Sequence, residues 1–175
     1  MKYSLLMILT SFLAASDIKI ICEEYLFNLY PKNTDISMHI LKLDKQMKKK
    51  VENQVKQKFY RDKLYYWTIS KDDTTIAYAF LDNVIGKSMP ITFLLVLDIN
   101  GQIITSSVIK YREAYGGEVG NKKWLSQFTG KKNNSGFNIG KDIDGISGAT
   151  ISVKSMNKGI QKIVTLYPLI KGKLK

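Results

Sequence analysis

The sequence predicts an α+β domain in which a mainly antiparallel sheet packs against helices. Three observations carry this expectation. Residues 64–112 contain four runs rich in aromatic and β-branched residues, separated by turn signals. On either side, residues 44–59 and 152–167 repeat apolar residues at helical spacing. No repeat, proline-rich linker or low-complexity tract divides residues 24–175, so a single domain is expected there.

The chain opens on a targeting pattern. Lys2 forms a short basic region, and residues 5–15 are an apolar run of signal-peptide length, short for a membrane span. Ala14-Ala15-Ser16 offers small residues for cleavage, so residues 1–16 are expected to be a signal peptide. An uncleaved anchor is the alternative. Residues 18–29 are apolar again, after Asp17 and Lys19. Cys22 lacks the small preceding residue of a lipoprotein site, since Ile21 stands there, and reads as a buried or leader thiol.

Pro31-Lys32-Asn33-Thr34-Asp35 is a polar turn segment. Leu43, Met47, Val51, Val55 and Phe59 then recur every four residues, with Asp44 as a reasonable N-cap, which predicts a basic amphipathic helix over about 44–59. Its other face carries Lys45, Lys48, Lys49, Lys50, Lys56 and Lys58. Strands are expected at 64–70, 76–83, 91–99 and 102–112. Asp72-Asp73 separates the first two, and Asn100-Gly101 suggests a type I′ hairpin between the last two. The nearly continuous apolar run 91–97 predicts a central strand covered on both faces. A loop at Ala114-Tyr115-Gly116-Gly117, a short helix at Trp124–Phe128 and an exposed polar loop at 129–140 follow. The last helix is expected over 152–167, with Pro168 ending or closely following it.

Composition removes several function classes. One cysteine and one histidine, His39, leave too few ligands for a thiol-held cluster, and set a low prior for a zinc or haem site or a Ser-His-Asp triad. The net charge of +12 favours anionic partners, although a lysine-rich surface serves solubility alone equally well. No aromatic-basic nucleic-acid signature is visible, and nucleic acid is not an expected partner.

The chemistry points to residues 142–152, Asp-Ile-Asp-Gly-Ile-Ser-Gly-Ala-Thr-Ile-Ser. Gly145 and Gly148 let a bulky group approach the backbone. The segment enters a helix, whose N-terminus presents unpaired N–H groups and partial positive charge suited to a phosphate. Ser147, Thr150 and Ser152 add hydroxyls, and Lys154 and Lys158 add charge in the next turns. A capped helix start explains the same residue types.

Asp144-Gly145-Ile146-Ser147-Gly148-Ala149-Thr150 resembles the flavinylation motif of the FMN-binding domain family, which includes flavin subunits of Na+-translocating NADH:quinone reductase and of Rnf-type complexes. Tyr111 to Val119 and Trp124 to Lys131 resemble that family's Glu-then-Gly-rich loop and its Trp/Phe helix, with Glu113-Ala114-Tyr115-Gly116 replacing the Glu-Thr-Pro-Gly of the respiratory subunits. The resemblance spans about residues 76–165. It implies FMN linked covalently to Thr150 through a phosphodiester, attached by a Mg-dependent FAD:protein FMN transferase. It implies roles in recognition for Asp144 and Ser147, with Gly145, Gly148, Ala149 and Ser152 completing the motif. It places Gly116 and Gly117 near the isoalloxazine and gives Arg112, Glu113 and Tyr115 as contacts to ring or ribityl. The basic surround is expected to favour the anionic reduced or semiquinone flavin. Trp124 and Phe128 are expected to be core anchors. The implied function is an exported electron-transfer flavoprotein on the extracytoplasmic side of a membrane, passing electrons between partner proteins that are themselves expected at the membrane. It is a carrier and not a stand-alone catalyst. A cofactor-free basic module at a membrane surface and a flavin-dependent reductase are the alternatives.

Overall fold

The computed structural model describes residues 17–175. The expected signal peptide at 1–16 lies outside the described residues. Five strands form one antiparallel meander in the order β1-β2-β3-β4-β5. They are β1 (Asp35–Lys42), β2 (Lys63–Lys71), β3 (Thr74–Ile85), β4 (Pro90–Asp98) and β5 (Ile103–Lys110). Helix α1 (17–29) covers part of one face. Helices α2 (Lys45–Val55), α3 (Lys122–Leu125) and α4 (Thr150–Ile170) lie on the other. The architecture is the expected α+β arrangement.

β4 explains the layering. Ile91 to Leu97 are all buried, and alternate residues face opposite sides. Phe93, Leu95 and Leu97 join the core under α2 and α4, while Leu94 and Val96 meet Trp67, Ile69, Ala77 and Ala79 beneath α1. The continuous apolar run is thus a central strand covered on both faces, as its pattern predicts.

α4 approaches the sheet closely at Gly159. A Cβ there would stand 2.5 Å from Val84 Cγ1 and 3.1 Å from Phe93 Cε1, so only glycine permits this seat. One turn on, Lys162 is fully buried. Its ammonium lies 2.8 Å from Asp82 Oδ2, donates to Lys58 O at 2.8 Å, and sits 4.4 Å from the Phe59 ring centroid. This one side chain ties α4 to β3 and to the α2–β2 connection.

Several local features depart from the sequence reading. Residues 17–29 form a helix whose Cys22 and Leu26 are fully buried, and Trp67 Nε1 donates to Glu23 Oε1 at 3.1 Å. The folded body therefore reaches back before residue 24. Burial pushes the Cys22 thiol up to about 12, consistent with an inert core group. β1 escaped prediction because it is an edge strand whose residues are at most half-buried. α2 is capped by Asp44, which accepts from Gln46 N and Met47 N, but it stops at Val55, where Lys56 turns left-handed at φ 58°. Phe59 reaches the core from the following loop, its N–H held by Glu52 Oε1 at 2.7 Å.

The expected type I′ turn lies elsewhere. Between β4 and β5 only Gly101 has positive φ, with Gly101 N bonded to Asp98 O and Asp98 N to Gln102 O. That is a type I turn closed by a left-handed glycine. Asp72 and Asp73, both at positive φ, supply the primed two-residue turn between β2 and β3. α4 runs from Thr150 to Ile170, starting two residues earlier than expected and passing through Pro168, which costs only one bond near the helix end. No described helix is long and apolar enough to cross a membrane.

Replacing Lys162 by methionine keeps most of the volume but strands the Asp82 carboxylate. Lys162→Met is expected to destabilise the fold by about 3 kcal/mol in a urea titration. A loss below about 1 kcal/mol would show that Asp82 finds water instead.

Candidate functional site

The site is built where the end of β5 meets the start of α4. Glu113, three residues past β5, accepts from Ser88 N at 2.7 Å, Met89 N at 2.9 Å and Ser88 Oγ at 3.3 Å. Its carboxylate therefore clamps the turn between β3 and β4. The N–H groups of Met89 and Ser88 hold its carboxyl below the usual glutamate range. Arg112 faces another way: Nη1 donates to Pro90 O at 2.9 Å and Thr92 Oγ1 at 3.0 Å. The two do not pair with each other.

Gly116 then turns the chain at φ 85° and lies against the first turn of α4. A Cβ there would stand 2.8 Å from Tyr111 Oη, 3.0 Å from Ser152 Oγ and 3.5 Å from Ala149 Cβ. Tyr111 Oη donates to Tyr115 O and lies 3.0 Å from Ser152 Oγ, with Ser152 buried. One phenol thus joins the glycine loop to α4. Gly117 begins a 3-10 turn (Gly117–Gly120) that leads into α3, which is capped by Asn121.

α3 positions the motif. Trp124 Nε1 donates to Asp144 O at 2.8 Å, and Gln127 Oε1 accepts from Asp144 N at 2.8 Å, so the Asp144 peptide is held on both sides. Trp124 and Phe128 are buried at an edge-to-face centroid distance of 5.3 Å, in keeping with core anchors. Ile143 and Ala149 are buried, and Asp144, Gly145, Ser147 and Gly148 are exposed between them. Ala149 N bonds to Ile146 O at 3.1 Å, and Gly148 has φ 80°, the geometry of a type II turn that needs glycine at its third position. Gly145 has no such requirement.

Thr150 is exposed and is the first residue of α4. The preceding Ala149 gives no side-chain cap. Alanine is among the poorest N-caps, so this 21-residue helix begins with its first N–H groups unserved by any capping side chain. Lys154 and Lys158 follow on the exposed side of the helix.

A cleft of about 270 Å³ opens between the two segments, lined by Tyr111, Glu113, Ala114, Tyr115, Gly116, Gly117, Glu118, Ser147 and Gly148. Six of the residues singled out in the sequence meet here. Thr150, Ala149 and Ser152 adjoin it at the helix start, whereas Arg112, Asp144 and Gly145 do not line it. Tyr111, Ala114 and Glu118 line it without having been singled out. For Tyr111 the signal was its place at the head of the Glu-Gly-rich stretch. The expected basic surround is not what the lining shows: it holds two glutamates and no lysine or arginine. Tyr115 is 88% exposed at the rim. Among the described residues no group of three or more His, Cys, Asp or Glu side chains is placed to hold a metal ion.

Residues 86–165 match the family model of the FMN-binding domain. This part of the chain resembles an FMN-binding domain. It runs from the β3–β4 turn through most of α4 and contains every residue of the cleft. The match points to flavin binding, with FMN as the flavin the family model describes. No match was found among curated proteins. The chain's own residues fit the group: an uncapped helix N-terminus for its phosphate, an open glycine turn before it, and a cleft with an exposed tyrosine beside it.

Two outcomes follow. Gly116→Ala puts a methyl against Tyr111 and Ser152 and forces a positive φ on alanine; it is expected to cost about 1–3 kcal/mol in chemical denaturation. A neutral result would show that the loop is free of α4. The Glu113 clamp contributes above the carboxyl's ordinary value of 4.5 and is lost as pH falls through its lower folded value. The amide proton shifts of Ser88 and Met89 should therefore titrate together with a midpoint below 4.5, and Glu113→Gln should flatten both. A midpoint at or above 4.5 would contradict the clamp.

Proposed function

We propose that this chain is an exported electron-transfer flavoprotein carrying FMN on Thr150 through a phosphodiester. The carrying observation is that Thr150 is exposed and is the first residue of a helix that lacks a side-chain cap. A phosphate esterified there finds the unpaired N–H groups and positive end of the α4 dipole within reach. Lys154 and Lys158 add charge along the same exposed side.

Attachment is a phosphoryl transfer. Thr150 Oγ1 forms a bond to the FMN phosphorus of FAD, the pyrophosphate bond breaks, and AMP leaves while the hydroxyl proton passes to solvent. The catalyst is a Mg-dependent FAD:protein FMN transferase acting on the exposed 144–150 segment. Exposure of Asp144 and Ser147 supports their recognition by that enzyme. Once bound, FMN supplies one- and two-electron redox chemistry. The chain's residues would hold it: Gly116 and Gly117 line the cleft, and Tyr115 offers an exposed ring face for stacking. At about 270 Å³ the cleft is just below the usual size of ligand sites, about 300 Å³ and upward, so the flavin stays accessible from solvent. Such access suits exchange of electrons with redox proteins at a membrane. Export rests on the apolar run at 5–15. Covalent attachment fits that setting, since a cofactor lost outside the cytoplasm is not readily replaced.

Co-expression with a transferase is expected to add the mass of one FMN less one water. The flavin fluorescence should survive denaturing electrophoresis, and both signals should vanish in Thr150→Ala. Unmodified wild-type protein beside a flavinylated control would sink the covalent reading. Flavin retained by Thr150→Ala would move the attachment elsewhere.

A further inference from the structure

The charge of the molecule is concentrated away from the cleft. Residues 42–63 hold nine basic against three acidic residues, a net +6, and residues 171–175 hold three lysines and no acid, a net +3. Together they carry nine of the chain's twelve excess charges. The two segments are distant in sequence but adjoin in the fold. The turn Lys171–Lys173 continues α4, Lys175 N donates to Tyr66 Oη at 3.3 Å, and α2 packs on α4. The carboxyl of Asp44 is lowered by the Met47 and Gln46 N–H groups and also by Lys173.

The acids within this face are committed to local structure. Asp44 caps α2, Glu52 holds Phe59 N, and Asp62 takes Lys48 Nζ at 2.6 Å. Eight of the nine cations in 42–63, and all three in 171–175, are exposed. The apolar side of α2 is spent on the core through Val51 and Val55, so this helix has nothing to insert into a partner. What it presents is charge alone.

We propose that this α2 and C-terminal face docks the protein on an anionic lipid headgroup surface. Eleven of its twelve cations are lysines. Lysine offers flexible point charges suited to a fluid array of phosphates, whereas a fixed protein partner favours the planar arginine fork. The face is also distant from the flavin site. Lys162, whose ammonium bonds Lys58 O, stands twelve residues along α4 from Thr150, about 18 Å at 1.5 Å per residue. A redox protein docked there would sit far from the flavin, whereas a lipid surface there leaves the cleft open. The apolar run at 5–15, expected to be part of a signal peptide that exports the chain across a membrane, argues for lipid over nucleic acid as the anionic surface it meets. This inference does not depend on Thr150 chemistry.

The test is flotation of the full chain with vesicles of phosphatidylcholine, with and without phosphatidylglycerol. Wild type is compared with K45Q/K49Q/K50Q and with K122Q/K123Q/K141Q, which removes the same charge from exposed lysines outside the α2 and C-terminal segments. The first triple is expected to lose at least tenfold in partition onto phosphatidylglycerol vesicles at low salt, the second little, and high salt should erase the difference. Thermal melts establish that both triples fold. Equal losses from the two triples would reduce the effect to net charge and overturn the docking face. Indifference to phosphatidylglycerol, or tighter binding to duplex DNA at the same salt, would overturn it as well.

Discussion

The seat of α4 on the sheet governs the molecule. Gly159 lets the helix touch Val84 and Phe93, and Lys162 locks that contact to Asp82, the Lys58 carbonyl and the Phe59 ring. A glycine in mid-helix costs roughly 1 kcal/mol, which close packing on both sides offsets. With the middle of α4 fixed in this way, its first turn projects beside the end of β5, where Tyr111 and Gly116 meet Ser152. The cleft is a consequence of that placement. It exists because a glycine loop and a helix start are brought together and left unfilled.

The charges sort themselves around the same helix. The first turn of α4 has no side-chain cap, and the cleft beside it carries glutamates, one of them already committed to the β3–β4 turn. The lysine-dense surface lies toward the other end, over α2 and the C-terminus. Positive potential at the candidate phosphate position thus comes mainly from backbone N–H groups. These are oriented by the helix and cost no reorganisation. The cleft and the basic face are thus separate surfaces of the molecule.

Much of this was legible in the sequence, for identifiable reasons. Asp44 sat where a cap is needed, and the run at 91–97 could only be a strand buried on both faces. The glycines and hydroxyls of 144–150 preceded a periodic helix. What was missed depended on tertiary contacts. β1 is a half-exposed edge strand whose short alternation of Ile36, Met38 and Ile40 follows directly on the 31–35 turn and was passed over. The positive φ values of Asp72 and Asp73 were not anticipated, because Asn-Gly at 100–101 is the stronger turn signal. Arg112 stood beside Glu113 in sequence, yet residues at a strand end alternate sides, and it turned to Pro90 and Thr92. The Tyr111 bridge spans 41 residues and leaves no local trace.

The central claim is that the open first turn of α4 receives the FMN phosphate. The direct measurement is amide exchange of Thr150, Ile151 and Ser152, read by NMR in the unmodified and the flavinylated protein. The account predicts that protection rises at these amides on flavinylation, while the Lys162 turn is unchanged. Flavinylated protein in which all three exchange as fast as before would contradict it, since the phosphate would then lie away from the helix start.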